Sequence, residues 1–147
     1  YNNPFDLKAR EKMAEASIVA GVAFSHPRTT GSHACSFPLT NIYGLPHGEA
    51  CAFTLDYFLK FNAEHADGDG RITALAKDCG FNDAFEMADE ITAMKKRMGM
   101  RCKLSEIGCE TDEQIDELTK KSMSMLMTRN PITLTQKDIK EMYIKLK

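Results

Sequence analysis

The sequence predicts an all-α fold, a multi-helix bundle formed by one domain. Apolar residues recur at spacings of three and four along most of the chain, which is the period of an amphipathic helix. Alternating apolar and polar residues, the pattern of a half-buried strand, are absent. Proline, glycine and helix-capping residues divide the chain into segments of helical length, with no internal repeat and no low-complexity linker. These observations favour a helical domain without a sheet.

The first helix is predicted in "FDLKAREKMAEASIVAGVAF", residues 5–24. Its beginning is charged, but the residues from Ala16 to Phe24 are apolar on every side. That distribution predicts a helix with one end in solvent and the other buried on all faces, with Gly21 at a close approach between helices. Pro27 and Gly31 then interrupt the helical pattern.

The next two helices flank a short turn. "SHACSFPLTNIYG", residues 32–44, is apolar and ends at Gly44, while Pro38 predicts a kink or a helix end because proline lacks the backbone donor. "PHGEACAFTLDYFLKFNAEH", residues 46–65, begins with Pro46, which suits a first helical turn. Its broad apolar face predicts one long core helix, carried by Ala50, Phe53, Thr54, Tyr57, Phe58 and Phe61.

The following helices are predicted from their caps. "RITALAKDCG" ends at Gly80, and "NDAFEMADEITAMKKRMG" begins with Asn82 as its cap and stops at Gly99. The basic run from Lys95 to Arg97 lies at the negative end of that helix dipole and is interpreted as a solvated helix end.

Two C-terminal helices have reciprocal caps. Thr111 precedes Gln114 by three residues, and Thr135 precedes Asp138 by the same spacing. Methionines at helical spacing suggest either core packing, which we favour, or an adaptable recognition face. They are Met87, Met94, Met98, Met123, Met125 and Met127.

Composition excludes several classes of function. The 147 residues carry a net charge of −2 and no basic stripe, so nucleic acid is not an expected partner. The longest apolar stretch is about half of a membrane span, and the first residues do not have the pattern of a signal peptide, so no membrane partner is expected. The five cysteines are odd in number and contain no CxxC, which favours a reducing, cytoplasmic environment over a disulfide framework.

One acidic loop resembles part of a calcium site. In "HADGDGRI", residues 65–72, Asp67 and Asp69 stand at the third and fifth places of a calcium loop. The first and twelfth places, however, hold His65 and Ala76, where such a loop needs acidic ligands. We therefore interpret the segment as a turn and helix cap.

The strongest candidates for chemistry are His33 and His47, fourteen residues apart in a nearly uncharged segment. Neutral imidazole binds Fe(II), Zn and Ni, so two histidines from two helices form half of a metal site. Cys35 and Cys51 suggest a Cys2His2 set, but His33 and Cys35 lie on opposite sides of a helix, whereas His47 and Cys51 share a face. Three alternatives stay open at this point: two hydrogen-bonded core histidines, a structural zinc domain using His47 and Cys51, or a non-catalytic interaction module.

The same segment resembles a signature of the iron-containing alcohol dehydrogenases. "GSHACSFPLTNIYGLPHGEACAFTL" has the glycine-rich approach, the histidine, the Pro-Leu and the Pro-His-Gly of that family. "AREKMAEASIVAGVAFSHPRTTGSHA" and "NPITLTQKDIKEMYIKLK" are similar to the flanking helix and the family's C-terminal ending, so the resemblance covers essentially the whole chain. It implies that His33 and His47 are two of four metal ligands, the others being an Asp and a His on an earlier helix.

The resemblance implies an NAD(P)-dependent oxidoreductase that interconverts an alcohol and an aldehyde. Residues 1–147 would form most of its C-terminal helical domain, and the α/β domain that binds NAD or NADP would precede Tyr1. Without that domain we expect no activity from the chain. Gly48 would allow backbone to approach the cofactor. We also expect a homo-oligomer.

One position departs from the family pattern. Many members carry a second histidine four residues after the one that matches His33, and here that residue is Phe37. The loop "SHPRTTGSHACSFPLT" is closer to a branch that acts on phosphonate aldehydes. This branch implies that Arg28 binds the anionic group of the substrate, since guanidinium can hold it with two parallel bonds.

Overall fold

The computed structural model describes all 147 residues, Tyr1–Lys147, and contains helices and no strand. The predicted all-α class is therefore confirmed. Two short 3-10 helices, Leu104–Ile107 and Met127–Arg129, occur in the connections. The eight α-helices are α1 (Leu7–Ser25), α2 (Gly31–Tyr43), α3 (His47–Phe53), α4 (Leu55–Ala66), α5 (Arg71–Asp78), α6 (Ala84–Arg97), α7 (Asp112–Ser122) and α8 (Gln136–Lys145).

The core lies between α2, α3, α7 and α8. Its largest buried side chain is Tyr143 of α8, whose hydroxyl group lies 2.8 Å from that of Ser122 at the end of α7. Cys35 of α2 is fully buried next to this pair. The hydroxyl groups of Ser122 and Tyr143 thus satisfy each other, whereas the buried hydroxyl groups of Thr54 and Thr119 have no partner within the chain. Aliphatic side chains from all four helices complete the cluster.

The predicted long helix of residues 46–65 is two helices, α3 and α4, which meet at Thr54. Thr54 has φ −111° and ψ 3°, outside the helical region, so the hydrogen-bond ladder is interrupted there. The ammonium group of Lys95 compensates for the interruption. It donates to the carbonyl oxygens of Ala52 and Phe53 at 3.1 and 3.3 Å. A cation at the carboxyl end of α3 is also favoured by the helix dipole.

The interpretation of Lys95 as part of a solvated helix end is wrong, because its side chain is only 2 % exposed. Helix α6 packs along α4 and places Lys95 over the α3–α4 junction, where Asp56 accepts its third hydrogen bond at 2.7 Å. Thr92 donates to the second oxygen of Asp56. Lys96 and Arg97 are exposed, as predicted. A buried lysine is tolerated here because all three of its donors have acceptors.

Helix α2 continues through Pro38, so the predicted alternative of a helix end at that residue does not occur. It ends at Gly44, which has φ +69° and returns its N–H to the carbonyls of Leu39 and Thr40. The helix begins at Gly31, where an added Cβ would lie 2.3 Å from the Phe58 ring. Glycine at this position therefore lets the first turn of α2 rest directly on α4.

Helix α1 differs most from its prediction, because none of its residues is buried. Ile18, Val19 and Val22 are all more than half exposed, and a Cβ on Gly21 would meet nothing within 4 Å. The rest of this chain buries none of the apolar end from Ala16 to Phe24, although Phe24 lines the edge of a cavity, and this lack of burial is the physical reason for the difference. No helix of the structure has the length and apolar character needed to cross a bilayer.

The capping predictions are confirmed in the C-terminal half and corrected at α6. Thr111 with Gln114, and Thr135 with Asp138, form reciprocal capping boxes. At α6 the cap is Asp83, whose carboxylate accepts from two backbone N–H groups, while Asn82 instead donates to Glu86. Of the six methionines assigned to the core, only Met127 is buried.

The acidic loop is a helix cap, as the turn interpretation predicted. One oxygen of Asp67 accepts from the N–H of Ile72 at 2.7 Å, and the other accepts from the N–H of Thr73 at 3.0 Å. The Thr73 hydroxyl group also donates to this carboxylate and is the largest influence that lowers the pKa of Asp67. The ionised carboxylate therefore holds the start of α5.

We predict that Lys95→Met strongly destabilises the fold. Methionine keeps most of the aliphatic packing but leaves Asp56 and two carbonyl groups without their donor, and breaking a buried ion pair costs about 3–5 kcal/mol. The free energy of unfolding is measured by urea titration. Lys96→Met on the adjacent exposed position is the control and should change stability by no more than about 0.5 kcal/mol. Equal effects of the two substitutions would contradict this role of Lys95.

We also predict that Asp67 contributes to acid sensitivity. Its pKa is lower in the folded chain than in the unfolded chain, so its stabilisation is present above the unfolded value of about 3.9 and is lost as the pH falls through the folded value. Asp67→Asn should therefore flatten the decrease of the unfolding free energy below about pH 4. Asp78→Asn, at an exposed carboxylate without a side-chain hydrogen bond, should leave the decrease as it is. Parallel pH profiles for wild type and Asp67→Asn would refute the prediction.

Candidate metal centre

The structure brings His33 and His47 together. His33 lies in the first turn of α2, and His47 is the first residue of α3. Helix α3 follows α2 after a short turn and packs against it, which brings side chains from the two helices to the same place. The imidazole ring centroids are 4.8 Å apart and the rings are nearly perpendicular, with an interplanar angle of 83°. Two histidines fourteen residues apart in the sequence therefore form one site.

Cys51 belongs to the same cluster. It lies one helical turn after His47, and its Sγ is 3.4 Å from Nδ1 of His33 and 3.6 Å from Nε2 of His47. One donor atom from each of the three side chains lies within 4.8 Å of the others. The Ser32 hydroxyl group donates to the Cys51 carbonyl at 3.2 Å and links α2 to α3 beside the cluster.

Cys35 is not part of this cluster, so the Cys2His2 set suggested by composition is not assembled. Cys35 is fully buried, and this burial raises the pKa of its thiol to about 11. Its neighbours are Tyr143, Ser122 and Thr54 of the core rather than a histidine. The two-residue separation from His33 turns Cys35 to the opposite side of α2, as helix geometry requires.

The electrostatics of the cluster favour neutral imidazole. Burial lowers the pKa of His33, and the positive charge that His47 would carry lowers it further. Neutral imidazole has the lone pair that a metal ion needs, and with a thiol it matches the preferences of Zn, Fe(II) or Ni rather than those of Mg or Ca. The residues present therefore fit a divalent transition metal, with room for ligands from outside this chain because His47 is exposed.

Helix α3 is held in place by a second ion pair. Glu49 points away from the histidines and accepts from the Arg101 guanidinium at 2.7 and 2.8 Å and from the Arg101 backbone N–H at 2.9 Å. This bidentate contact is the main reason that the pKa of Glu49 lies below its usual value. The orientation of Glu49 agrees with its helical position. Arg101, 52 residues away, carried no local signal that could have identified it.

Two cavities flank His33. One, of about 330 Å³, is lined by Phe37, Arg28 and Arg129 among others. The other, of about 350 Å³, is lined by Cys51, Leu55 and Phe58 among others. The His33 imidazole thus lies between a basic cavity, which contains the two arginines, and a second cavity lined by both polar and apolar side chains.

The basic cavity contains the predicted Arg28 and a second arginine that the sequence did not single out. Arg28 is the only non-glycine residue with a positive φ, +69°. Such a conformation costs about 1–3 kcal/mol and tends to occur at functional sites. Arg129 ends a 3-10 helix, and the next residue, Asn130, exchanges two amide hydrogen bonds with Asn62 of α4 at 2.8 and 3.3 Å. This pair holds the backbone beside Arg129.

Phe37 lies beside both histidines and, like His33, lines the basic cavity. Its ring contacts His33 edge-on at a centroid distance of 5.3 Å and lies 6.1 Å from the His47 ring. Gly48, beside His47, is exposed, and a Cβ added there would meet nothing within 4 Å. The contacts within this chain therefore do not explain a glycine at position 48.

Comparisons with known proteins agree with this arrangement. Residues 1–146 match the family model of the C-terminal part of the Fe-containing alcohol dehydrogenases. A sulfoacetaldehyde reductase from Bifidobacterium kashiwanohense, solved in complex with NAD+, superposes on 99 % of the chain with a TM-score of 0.93 and 48 % identity. An iron-containing alcohol dehydrogenase from Thermococcus thioreducens covers 96 % of the chain with a TM-score of 0.82 and 29 % identity.

A sequence relative gives the same result. An alcohol dehydrogenase from Thermococcus barophilus is 33 % identical over 141 residues, which make up 94 % of this chain. The chain spans about 36 % of that relative and 38 % of each of the two solved structures. The fold, the two histidines on α2 and α3, and the match over nearly every residue lead to one assignment: the chain belongs to the iron-containing alcohol dehydrogenase family, as its C-terminal helical region.

Proposed function

We propose that this chain is the metal-binding half of an NAD(P)-dependent oxidoreductase that interconverts an alcohol and an aldehyde. The convergence of His33 and His47 from two helices, in a member of this family, is the observation that carries the proposal. The reductase from B. kashiwanohense, which was solved with NAD+, supports the choice of cofactor.

His33 and His47 would hold the metal through neutral ring nitrogens. When bound, Fe(II) or a similar ion such as Zn or Ni supplies Lewis acidity, which polarises a carbonyl group for hydride transfer from nicotinamide. The chain contributes rigidity to this task. Its two ligand-bearing helices are fixed by Ser32 and by the Glu49–Arg101 pair, so the imidazoles are oriented before any ion arrives.

The cofactor would be bound mainly by a separate α/β domain of the same protein. This chain corresponds to little more than a third of its relatives, which leaves room for such a domain in a complete enzyme. The open space around Gly48 supports a close approach of the cofactor to the start of α3. Because nicotinamide would be absent, the 147-residue chain alone would not reduce aldehydes. Assembly into a homo-oligomer is part of the same proposal.

The substrate would be a small aldehyde that carries a tetrahedral anionic group, a phosphonate or a sulfonate. Arg28 and Arg129 line the same cavity as His33, so an anionic group held there would place a short aldehyde near the histidines. Guanidinium groups bind such oxyanions through paired hydrogen bonds. The substrate named for the B. kashiwanohense enzyme, sulfoacetaldehyde, has this chemistry.

Phe37 would shield the site rather than transfer protons. Its ring has no titratable group, so a proton relay cannot pass through this position. Its edge-on contact with His33 covers part of the imidazole and limits rotation of the ring. The side chain would thereby exclude water from the space between the anion-binding arginines and the metal ligands.

A structural zinc domain is the second candidate, because Cys51 lies 3.6 Å from His47. A structural zinc site has four protein ligands, and the cluster in this chain offers three donors, one of them on the exposed His47. An open cluster is typical of a catalytic site that awaits other ligands. The oxidoreductase is therefore the better-supported function.

We predict that the chain binds Zn or Ni weakly and through both histidines. An incomplete ligand set should give a dissociation constant of about 1 µM or weaker, equivalent to about 8 kcal/mol, below the range of complete structural zinc sites. Isothermal titration at pH 7.5 measures the affinity. His33→Ala and His47→Ala should each lose stoichiometric binding.

His26→Ala is the matched control, since His26 is an exposed histidine at the end of α1 and lies outside the cluster. Its affinity should equal that of the wild type. Nanomolar binding, or binding that survives loss of either cluster histidine, would show that the chain contains a complete site of another kind.

We predict that Arg28→Gln and Arg129→Gln raise the KM for an anionic aldehyde in the complete enzyme. Loss of a hydrogen bond to a charged group costs about 1.5–3 kcal/mol, or roughly 10- to 100-fold. Steady-state reduction of sulfoacetaldehyde and phosphonoacetaldehyde, compared with propanal, measures the effect. The KM for propanal should stay unchanged, because it has no anionic group for either arginine to bind.

Arg71→Gln is the control, since Arg71 is exposed on α5 and pairs with Asp69. This substitution should not change the KM for any of the three aldehydes. Equal losses for propanal and the anionic aldehydes would reject the anion-binding role. Turnover by the 147-residue chain alone would reject the division of labour with a cofactor domain.

A further inference from the structure

The thiol of Cys51 has a position that the proposed two-histidine role does not use. It faces both imidazoles, and it approaches His33 through Nδ1 and His47 through Nε2. The side chain is half-buried on α3 and lines the second cavity beside His33. Cys51 is therefore a half-buried thiol that contacts both candidate metal ligands.

The two distances between the Cys51 sulfur and the imidazole nitrogens match those around a shared ion. Zinc bonds of about 2.3 Å to sulfur and about 2.0–2.1 Å to nitrogen, arranged tetrahedrally, separate sulfur and nitrogen by about 3.6 Å. The two measured Sγ–nitrogen distances are 3.4 and 3.6 Å. These two sulfur–nitrogen distances thus fit two edges of a coordination tetrahedron. The donor atoms of all three side chains lie within 4.8 Å of one another, so an ion could enter once the two imidazoles move closer together.

The supporting structure makes this arrangement persistent. Cys51 and His47 are four residues apart on one helix, so their side chains share a face whatever α2 does. The hydroxyl group of Ser32, the residue before His33, donates a hydrogen bond to the Cys51 carbonyl. The ammonium group of Lys95 donates to the carbonyl of the next residue, Ala52. The backbone that carries the thiol is therefore tied on both sides.

We infer that Cys51 is the third metal donor of this chain, completing a facial set with His33 and His47. On coordination the thiol gives its proton to solvent and binds as thiolate. A soft sulfur donor makes the site favour Zn, Co(II) or Cd over Mg or Mn. The inference rests on the proposed metal-binding role of the two histidines and adds a ligand to it.

Cobalt substitution tests the inference without measuring catalysis. The reduced 147-residue chain is titrated with Co(II), and thiolate coordination is read from the sulfur-to-cobalt charge-transfer absorption in the near ultraviolet. We expect this band in the wild type and its loss in Cys51→Ala and Cys51→Ser. Zn affinity should fall at least about tenfold in both variants, the lower end of the cost of substituting even an outer-shell partner.

Cys51→Ser separates ligation from positioning. Serine is close in size and can still hydrogen-bond Nδ1 of His33, so it would preserve affinity if the thiol only oriented the imidazole. Cys79→Ser, at an exposed cysteine after α5, is the control for adventitious thiol binding and should keep both band and affinity. Far-ultraviolet circular dichroism of each variant confirms that the helices are retained.

Three other outcomes of the metal titrations would contradict the inference. Co(II) that binds without a charge-transfer band, with affinity retained in Cys51→Ser and lost in His33→Ala, would overturn the third-donor inference and leave the proposed function in place. A band that persists in His33→Ala and His47→Ala would overturn both, because the thiol would then belong to a different site. Failure of the wild type to bind Co(II) or Zn would also overturn both.

Discussion

The ammonium group of Lys95 is the contact on which the geometry of this domain depends. It fills the break between α3 and α4 with three hydrogen bonds, two to carbonyl groups at the end of α3 and one to Asp56 at the start of α4. Helix α3 carries His47 and Cys51, and Phe58 of α4 supports the first turn of α2, where His33 lies. One buried cation therefore holds the junction between the elements that carry the candidate metal centre. Its desolvation is tolerated only because all three donors are used.

Local patterns predicted the features that are local in origin. The all-α class, the reciprocal caps at Thr111 and Thr135, and the cap formed by Asp67 each depend on residues within a few positions of one another. The pairing of His33 and His47 was suggested by a spacing within one segment. These features could be predicted because helix periodicity and capping chemistry act over one or two turns.

Features that depend on distant residues could not be predicted. The local sequence around Lys95 is that of a solvated helix end. The carbonyl of Ala52, which Lys95 contacts at the α3–α4 junction, lies 43 residues away in the sequence. Arg101 has no local signal because its partner Glu49 lies 52 residues away, and Arg129 has none because Arg28 and His33, which line the same cavity, are distant in the sequence. The break at Thr54 could not be predicted, because the apolar face continues through both helices without interruption. In each case a long-range contact decided a local conformation, as tertiary context commonly does.

The exposure of α1 has a consequence for how the chain folds. The cluster formed by α2, α3, α7 and α8 contains no residue of α1, so its hydrophobic driving force is complete without that helix. A 19-residue helix without tertiary packing is only marginally stable in water. The chain therefore consists of a packed unit from about Gly31 onward and an amino-terminal helix that adds no buried residue to it. During synthesis α1 would leave the ribosome before that unit exists, and its apolar end would remain exposed after the unit has folded, because the unit buries none of its residues.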